Sequence, residues 1–266
     1  MTVQHDDAVP AATAHGLDWV AWLRRWDAQQ TGYLPDREGR FNAMLDVLGA
    51  LLPASFVALD LACGPGSISE RLLARFPEAR VVALDLDPVL LALGRGALGT
   101  VAGRLRWVEA DLSRPRWLEA LGEARVDAVL STTALHWLSA KHLVHLYQQL
   151  ATLLPEGGIF LNGDHMAFSP PHASFQRAAN AIKERRHANA FTEQGGEDWA
   201  RWWNALEQEP GTAELFAERA RRFPSRDPER LRPNHALHEA ALLNAGFREV
   251  GTIWQNLDNR VLMAIR

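Results

Sequence analysis

Residues 57–73 read VALDLACGPGSISERLL, and this stretch decides the fold. It begins with an apolar run, passes through a turn that contains Gly64 and Gly66, and continues as an amphipathic pattern with helical spacing. Glycine lets the main chain adopt positive φ angles and lets a ligand lie against the backbone, while the N-terminus of the following helix favours an anionic group. The stretch therefore predicts a strand, a ligand-binding turn and a helix.

The same alternation of apolar runs and helical patterns continues on the C-terminal side of this stretch. Strands that are apolar along their whole length are typical of a parallel sheet covered by helices on both faces. The sequence therefore predicts an α/β, doubly wound fold. The predicted strands contain the segments FVALDLA, RVVALDLD, LRWVEADL, VDAVLSTTAL and GGIFLNGDH.

The pattern divides the chain into four segments. Residues 1–52 are predicted to form a polar N-terminal arm and a helical cover, and residues 53–165 form the ligand-binding core. Residues 166–232 have helical patterns without a strand and are predicted to be a helical lid inserted into the core. Residues 233–266 are predicted to complete the core with a helix and two antiparallel strands joined by the turn NLDN.

Composition narrows the class of protein. The 266 residues are 47% hydrophobic and 23% charged, which is typical of a globular protein with a sizeable core. The apolar runs are far shorter than the roughly 20 residues of a membrane span, and no basic-then-apolar leader begins the chain, so we expect a cytoplasmic protein. A net charge of -4 gives no general attraction to nucleic acid or to an anionic membrane.

Cysteine and histidine usage bears on disulfides and metals. Cys63 is the single cysteine, which excludes an internal disulfide and a cysteine-rich metal site. No histidine pair with a supporting carboxylate stands out, so no metal is expected. The oligomeric state stays open at this stage.

Two kinds of nucleotide ligand compete for the glycine turn. The dinucleotide fingerprint G-x-G-x-x-G requires a third glycine where Ser69 stands. Asp85 lies about 20 residues beyond the glycines, where a carboxylate can accept ribose hydroxyls. Asp60 at the end of the first strand would repel a pyrophosphate, whereas it suits a ligand that carries positive charge. An adenosine-containing cation is therefore favoured.

Five motifs together resemble the class I S-adenosylmethionine-dependent methyltransferases, in the order and spacing of that family. Ala62 replaces the first glycine of the family's D-x-G-C-G-x-G motif, and TTALHWL is most similar to the trans-aconitate methyltransferase-like branch, which acts on small molecules. The resemblance implies S-adenosylmethionine as cofactor and a mostly parallel, seven-stranded, Rossmann-like sheet with the last strand antiparallel. The motifs are DLACGPGS, ALDLDP, EADL, VDAVLSTTALHWL and LLPEGGIFL.

The resemblance also implies a set of cofactor contacts. Asp60 and the turn backbone would face the methionine part, Asp85 the ribose, and Asp111 the adenine amino group. The Thr132 carbonyl would lie near the ammonium, and Arg40 would pair with the carboxylate. The implied contacts are Arg40, Asp60, Ala62, Cys63, Gly64, Gly66, Asp85, Leu86, Ala110, Asp111, Leu112 and Thr132.

Several of these residues have structural alternatives. Asp60 could satisfy backbone amides of the turn, and Asp111 could cap the short helix that follows. Cys63 could have a lowered pKa at the helix N-terminus, although a packing role is the more common one. Arg40 could be a solvated surface arginine, in which case Arg37 and Tyr33 are the nearby substitutes.

Methyl transfer depends mainly on alignment of donor and acceptor, and a base is needed only for an acceptor that carries a proton. His136 and His165, which follow the fourth and fifth predicted strands, are the candidate bases. Both could instead be packed histidines. The candidate acceptor contacts are Tyr33, Trp137, Trp199, Trp202 and Trp203, and the lid tryptophans could equally attach the lid to the sheet.

The sequence therefore predicts transfer of a methyl group to an oxygen or nitrogen of a small-molecule acceptor. One alternative is a protein that binds S-adenosylmethionine or its demethylated product without catalysis. The other is a methyltransferase of RNA or protein, for which no long charged docking face is evident in the sequence.

Overall fold

The computed structural model describes residues 16–123, 125–223 and 233–266. Its seven strands form one sheet in the order β3-β2-β1-β4-β5-β7-β6. Adjacent strands pair in parallel, except that β7 runs antiparallel to β5 and to β6. The predicted α/β sheet, with its last strand antiparallel, is confirmed.

The strands are β1 (Val57–Leu61), β2 (Arg80–Asp85), β3 (Leu105–Glu109), β4 (Ala128–Thr132), β5 (Ile159–His165), β6 (Glu249–Asn256) and β7 (Asn259–Ile265). The helices among the described residues are α1 (Trp19–Tyr33), α2 (Arg37–Leu51), α3 (Ser67–Arg75), α4 (Pro88–Leu98), α5 (Trp117–Leu121), α6 (Ala140–Leu153), α7 (Ala173–His187), α8 (Trp199–Glu207), α9 (Ala213–Arg222) and α10 (His235–Ala245). Short 3-10 turns span Leu135–Trp137 and Pro170–His172, and a π-helical turn spans Ala188–Glu193.

The strand order places a crevice at the carboxyl ends of β1 and β4. From β1 the chain builds β2 and β3 on one side and then crosses to β4 on the other. Asp60 of β1 consequently pairs with Ala83 of β2 and with Leu130 of β4. Loops that leave neighbouring strands in opposite directions open a space between them, which is where ligands of open α/β sheets bind.

Two apolar clusters cover the faces of the sheet and hold it rigid. One includes Leu59, Phe160 and Tyr147 with α6 and α10, and the other includes Phe41 and Leu130 with α2 and α3. Both sets of side chains are buried, so removing either layer would expose a face of continuous apolar strands. The crevice therefore rests on a fixed base.

A third apolar cluster stands beside the crevice and joins helices from distant parts of the chain. Trp22 and Trp26 of α1 pack on Trp202 and Trp203 of α8, with ring centroids 5.0–6.4 Å apart in the pairs formed across the two helices. Aromatic pairs at such separations stabilise the packing beyond their buried area. They fix α8 over the carboxyl edge of the sheet, next to α4.

The predicted segments can be followed along the described residues. Helices α1 and α2 precede β1, and after β5 the chain contains helices α7 to α9 before the core resumes with α10. The predicted arm at residues 1–15 and the end of the predicted lid at 224–232 lie outside the described residues. In the described part of the chain, no helix combines the length and apolarity that crossing a bilayer requires.

Candidate active site

A cavity of about 660 Å³ opens at the carboxyl ends of β1, β2 and β4. This volume is within the range of small-molecule and cofactor sites. Helices α1, α2, α8 and α9 close its outer side. The residues predicted from the sequence that line it are Ala62, Cys63, Gly64, Asp85, Leu86, Ala110, Asp111, Leu112, Thr132, His136, Trp137, Trp199 and Trp203.

The glycine turn forms the floor of the cavity. Gly64 has φ +56°, and a Cβ placed on it would meet only Leu90 Cδ1, at 3.8 Å, which is itself a lining atom. The turn backbone is thus bare on the side that faces the cavity. Gly66, at φ +85°, has a different role, because its Cβ would lie 2.7 Å from the Trp107 ring. Gly66 permits close packing of the turn and does not line the cavity.

Ala62, which replaces the family's first glycine, adopts φ 55°. The left-handed conformation costs a residue with a Cβ roughly 1–2 kcal/mol, whereas glycine loses about 0.4–1 kcal/mol through the entropy of its unfolded chain. We therefore expect Ala62→Gly to raise the free energy of unfolding by about 0 to 1.6 kcal/mol, as measured by urea denaturation. A clear loss of stability would contradict this account of the turn.

Asp85 organises the loop that follows β2. Its Oδ2 accepts a hydrogen bond from Gly64 N at 2.7 Å, and its Oδ1 accepts from Leu86 N and Asp87 N at 2.7 and 2.8 Å. Burial raises the pKa of Asp85 to about 6, although these backbone donors oppose the rise. A carboxylate accepts about four hydrogen bonds, so Oδ2 retains capacity for one more donor from the cavity.

Asp60 lies directly beneath the turn and does not line the cavity. Its Oδ2 accepts from Ser69 Oγ at 2.6 Å, and its buried Oδ1 has no partner. Burial raises the pKa of Asp60 to about 7, against the lowering effect of the Ser69 hydrogen bond. An unpartnered carboxylate oxygen beside a bare turn is an acceptor suited to a cationic group.

Other acidic and sulfur groups around the turn have local roles. Asp87 caps α4 by accepting from Val89 N, as its position before Pro88 predicts. Asp111 does not cap α5, since its Oδ1 accepts from Ser113 N and Oγ instead. The alternative of a lowered pKa at Cys63 is wrong, because burial raises its pKa well above the ordinary value, and neighbouring Asp60 and Asp85 add to that rise.

The two arginines of α2 do not lie where the sequence predicts them, because Arg37 and not Arg40 lines the cavity. Arg40 is fully buried and does not line the cavity: Nη2 donates to Thr133 Oγ1 at 2.6 Å and Nη1 to Asn259 Oδ1 at 3.1 Å. The alternative of a solvated Arg40 is therefore wrong as well. Arg37 does line the cavity, with Nη1 donating to Asp27 at 2.8 Å.

Burial lowers the pKa of Arg40 to about 10, although the negative charge of Asp164 opposes the change. The guanidinium is therefore protonated at neutral pH. Through its hydrogen bond it holds Thr133, a lining residue with the unusual φ of 56°, at the end of β4. Left-handed non-glycine residues persist where the surroundings over-determine them, and such residues concentrate at functional sites.

His136 and Asp164 form a buried pair at the edge of the cavity. His136 Nδ1 lies 2.7 Å from Asp164 Oδ1, and His136 N donates to Oδ2 at 3.0 Å. Burial would raise the pKa of Asp164, but His136 and Arg40 outweigh it and hold the pKa below its ordinary value. An ionised Asp164 favours a proton on Nδ1, which leaves Nε2 as the nitrogen available to a ligand.

His165 and Tyr33, also predicted as site residues, lie elsewhere. Both line a separate cavity of about 30 Å³, about the size of one ordered water, together with Asp258. His165 Nδ1 is 3.5 Å from Asp258 Oδ1. The Tyr33 hydroxyl accepts from Trp199 N at 3.0 Å, so Tyr33 contributes by holding the start of α8.

The lid tryptophans divide between lining and packing. Trp199 and Trp203 line the cavity, whereas Trp202 is fully buried against Trp22 and Trp26. The structure thus does not bring Trp202 to the cavity; it attaches the lid to α1, and not to the sheet as the alternative had it. Trp137 lines the cavity from the β4 side.

Helix α9 closes the cavity through two arginines that the sequence did not single out. Arg219 Nε donates to Asp87 Oδ2 at 2.6 Å, and its guanidinium lies 3.8 Å from the centroid of Trp203. Arg222 donates to the Leu86 carbonyl at 2.9 Å and pairs with Glu109 at 2.7 Å. These contacts tie α9 to the loop after β2.

The strand order, the bare glycine turn and the crevice cavity together define a doubly wound α/β protein with a nucleotide-type site. Residues 58–158 match the model of a methyltransferase domain. This segment is therefore similar to a methyltransferase domain, and the resemblance to the trans-aconitate methyltransferase-like branch is confirmed by the curated relatives.

Two of these relatives are trans-aconitate 2-methyltransferases. The protein from Azoarcus sp. is 33% identical over 148 residues, which cover 55% of this chain and 54% of the relative. The protein from Methylobacterium nodulans is 35% identical over 134 residues, covering 50% and 47%. The chain thus spans about half the length of the curated relatives it matches.

Solved structures share the fold over a larger part of the chain. Magnesium protoporphyrin IX methyltransferase from Synechocystis, with bound SAH, superposes with a TM-score of 0.57 and 14% identity, covering 92% of this chain and 94% of that one. A putative O-methyltransferase from Nostoc punctiforme gives a TM-score of 0.55 at 14% identity, covering 93% and 60%. At such identities the likeness concerns the fold.

Proposed function

We propose that the protein is an S-adenosylmethionine-dependent methyltransferase that methylates an oxygen or nitrogen of a small-molecule acceptor. One observation carries the proposal: the bare turn at Gly64, the Asp85 carboxylate and His136, which is paired with Asp164 behind it, border the same cavity. The named activity of the trans-aconitate 2-methyltransferases, a small-molecule methylation, supports an acceptor of this size class.

The residues present fit S-adenosylmethionine, which combines a ribose, a carboxylate and two positive charges. Asp85 Oδ2 has acceptor capacity for a ribose hydroxyl, and the unpartnered Asp60 Oδ1 is a buried acceptor beneath the turn. Arg37 lines the cavity and can pair with the carboxylate, a role that the sequence assigned to Arg40. Asp111 and Leu86 stay the candidates for the adenine contacts.

S-adenosylmethionine supplies an electrophilic methyl group when bound. The chain's contribution is to orient the acceptor, to exclude water and to move a proton. Alignment alone can be worth roughly 7–11 kcal/mol of the barrier. For an acceptor that carries a proton, His136 accepts it at Nε2, and Asp164 stabilises the resulting imidazolium. His165, in its separate cavity, has no part in this proposal.

We expect Asp85→Ala to weaken S-adenosylmethionine binding by about 1–3 kcal/mol, because a ribose hydroxyl loses its acceptor. Asp85→Asn is the matched control: its amide oxygen can still accept from Leu86 N and Asp87 N, so its loss should be smaller. Isothermal titration calorimetry measures both, with thermal unfolding as a check on folding. Unchanged affinity in the alanine variant would remove Asp85 from the site.

The proposed activity is tested by incubating the protein with S-adenosylmethionine and a panel of phenols, amines and carboxylates, with formation of S-adenosylhomocysteine as the readout. Transfer to at least one acceptor excludes the non-catalytic binding protein. Calorimetric binding without transfer to any member of the panel would favour that alternative.

A further inference from the structure

We propose that the acceptor is a flat, fused-ring molecule that presents an acidic hydroxyl, a phenol or an enol. The inference rests on the proposed function and specifies its substrate. It departs from the trans-aconitate named for the curated relatives, and three features of this cavity lead to it.

The first feature is an aromatic wall on the lid side of the cavity. Trp26, Trp199 and Trp203 all line it, with ring centroids 5.5–6.4 Å apart. Phe223 extends the wall beyond α9, and Trp137 faces the cavity from the end of β4. The Trp26–Trp203 pair packs edge to face and the other two pairs are tilted, so the three rings form one continuous aromatic surface against which a planar ring system can pack.

The second feature is the absence of free positive charge on the described lining. Its two guanidinium groups are already paired, Arg37 with Asp27 at 2.8 Å and Arg219 with Asp87 at 2.6 Å. A tricarboxylate carries several charges that each need a donor or a cation when they leave water. If Arg37 also takes the cofactor carboxylate, one paired guanidinium remains among the described lining residues, too little for such an acceptor.

The third feature is the His136–Asp164 pair itself. A carboxylate acceptor is ionised at neutral pH and has no proton to lose, so a base backed by a buried carboxylate serves no purpose for it. A phenolic hydroxyl, with a pKa near 10, is protonated at neutral pH and close enough in acidity for histidine to assist. An ammonium acceptor fits less well, because an imidazolium at His136 would repel it, Asp87 and Asp111 already have partners, and the remaining capacity of Asp85 is assigned to the ribose.

The proposed methyl transfer conserves atoms and charge. The hydroxyl proton moves to Nε2 of His136, the oxygen lone pair forms a bond to the methyl carbon, and the carbon–sulfur bonding pair returns to sulfur. The products are a methyl ether, S-adenosylhomocysteine and a proton that His136 releases to water.

Acceptors that share one ring system and differ only in the reacting group test this assignment. We use 2-naphthol, 2-naphthoate and 2-naphthylmethylamine, with trans-aconitate as the ringless polycarboxylate. Methylated products are identified by mass spectrometry, and binding of each acceptor is measured by calorimetry in the presence of S-adenosylhomocysteine. We expect 2-naphthol to be methylated with a kcat/KM at least 10-fold above that of each other acceptor.

A pair of tryptophan variants tests the wall. Trp199 is partly buried and lines the cavity, whereas Trp19 is partly buried in the same helical layer but away from the cavity. We expect Trp199→Leu to weaken binding of 2-naphthol about 10-fold or more, with S-adenosylhomocysteine affinity unchanged. Trp19→Leu should leave both affinities within about 2-fold, so a general loss of packing is distinguished from a loss of the wall.

The outcomes separate this inference from the proposed function. Faster transfer to trans-aconitate, 2-naphthoate or the amine overturns the acceptor class while leaving the methyltransferase intact. A lack of saturable 2-naphthol binding, or equal effects of the two tryptophan variants, also overturns it. If S-adenosylmethionine itself fails to bind, the proposed function falls, and this inference falls with it.

Discussion

Gly64→Val is expected to weaken S-adenosylmethionine binding about 100-fold or more. A Cβ at this position stands in the cavity, 3.8 Å from Leu90 Cδ1, and the two γ-methyl groups of valine would extend further over the turn. The ligand could then no longer lie against the backbone, which is the purpose of a bare turn at this place in the sheet. Calorimetry with the purified variant measures the effect.

The effect of backbone strain has to be distinguished from steric exclusion of the ligand, because φ at Gly64 is +56° and a β-branched residue is an outlier in that region. Gly157 offers a matched control: its φ is +77°, and nothing lies within 4 Å of its Cβ position. It precedes β5 at the amino end of the strand, far from the cavity. Gly157→Val should lose stability comparably and keep its affinity. Equal affinities of the two variants would refute the assignment of the turn.

Residues at strand ends and helix starts were the part of the site that the sequence could predict. Gly64 and Asp85 belong to consecutive strand-to-loop junctions, and parallel strands bring such junctions to the same edge of a sheet. The capping role of Asp87 follows from Pro88 beside it. In each case the order of the elements along the chain specifies the neighbour.

Side-chain direction across the sheet could not be predicted in the same way. Asp164 and His165 are adjacent in β5, so they point to opposite sides, and the sequence does not say which side meets the cavity. The chemistry of an imidazole made His165 a candidate base, but Asp164 is the residue that contacts His136, 28 positions away. The sequence did contain one signal, a carboxylate at the end of a buried strand. That signal identifies the partner of His136 only once the register between β4 and β5 is known.

The packing of helices likewise could not be predicted from the sequence. Arg37 and Arg40 are three residues apart on α2, and both are buried, but only packing against β5 and β7 decides that Arg40 lies beneath the sheet edge and Arg37 lines the cavity. Trp202 and Trp203 are adjacent on α8, yet one is fully buried by α1 and the other lines the cavity. Tertiary partners from distant segments made these choices, and one sequence alone does not reveal them.

The His136–Asp164 pair gives the second large expectation. We expect His136→Asn to lower the maximal rate of methyl transfer to 2-naphthol about 10²-fold or more at neutral pH, because the hydroxyl proton loses its acceptor. The variant's rate should keep rising with pH toward the pKa of the naphthol itself, since it reacts only with the ionised acceptor, whereas the parent has His136 to take the proton below that pH.

An ionised acceptor provides the internal control. Any transfer to 2-naphthoate should be nearly the same for the parent and for His136→Asn, because a carboxylate has no proton to surrender. Equal losses on the naphthol and the naphthoate would mean that His136 positions the acceptor and does not act as a base. If the variant methylated 2-naphthol as fast as the parent, alignment of donor and acceptor alone would account for the reaction.

Asp164 is expected to act through His136, as a positioning residue. Asp164→Asn should lower the rate on 2-naphthol and alter the pH profile, because an amide no longer favours the proton on Nδ1. Combined with His136→Asn it should cause little further loss, since residues that act as a unit are not additive. Arg40 loses its compensating charge in this variant, so urea denaturation must accompany the kinetics. Rate losses that multiply in a folded double variant would show that Asp164 acts on the reaction independently of His136.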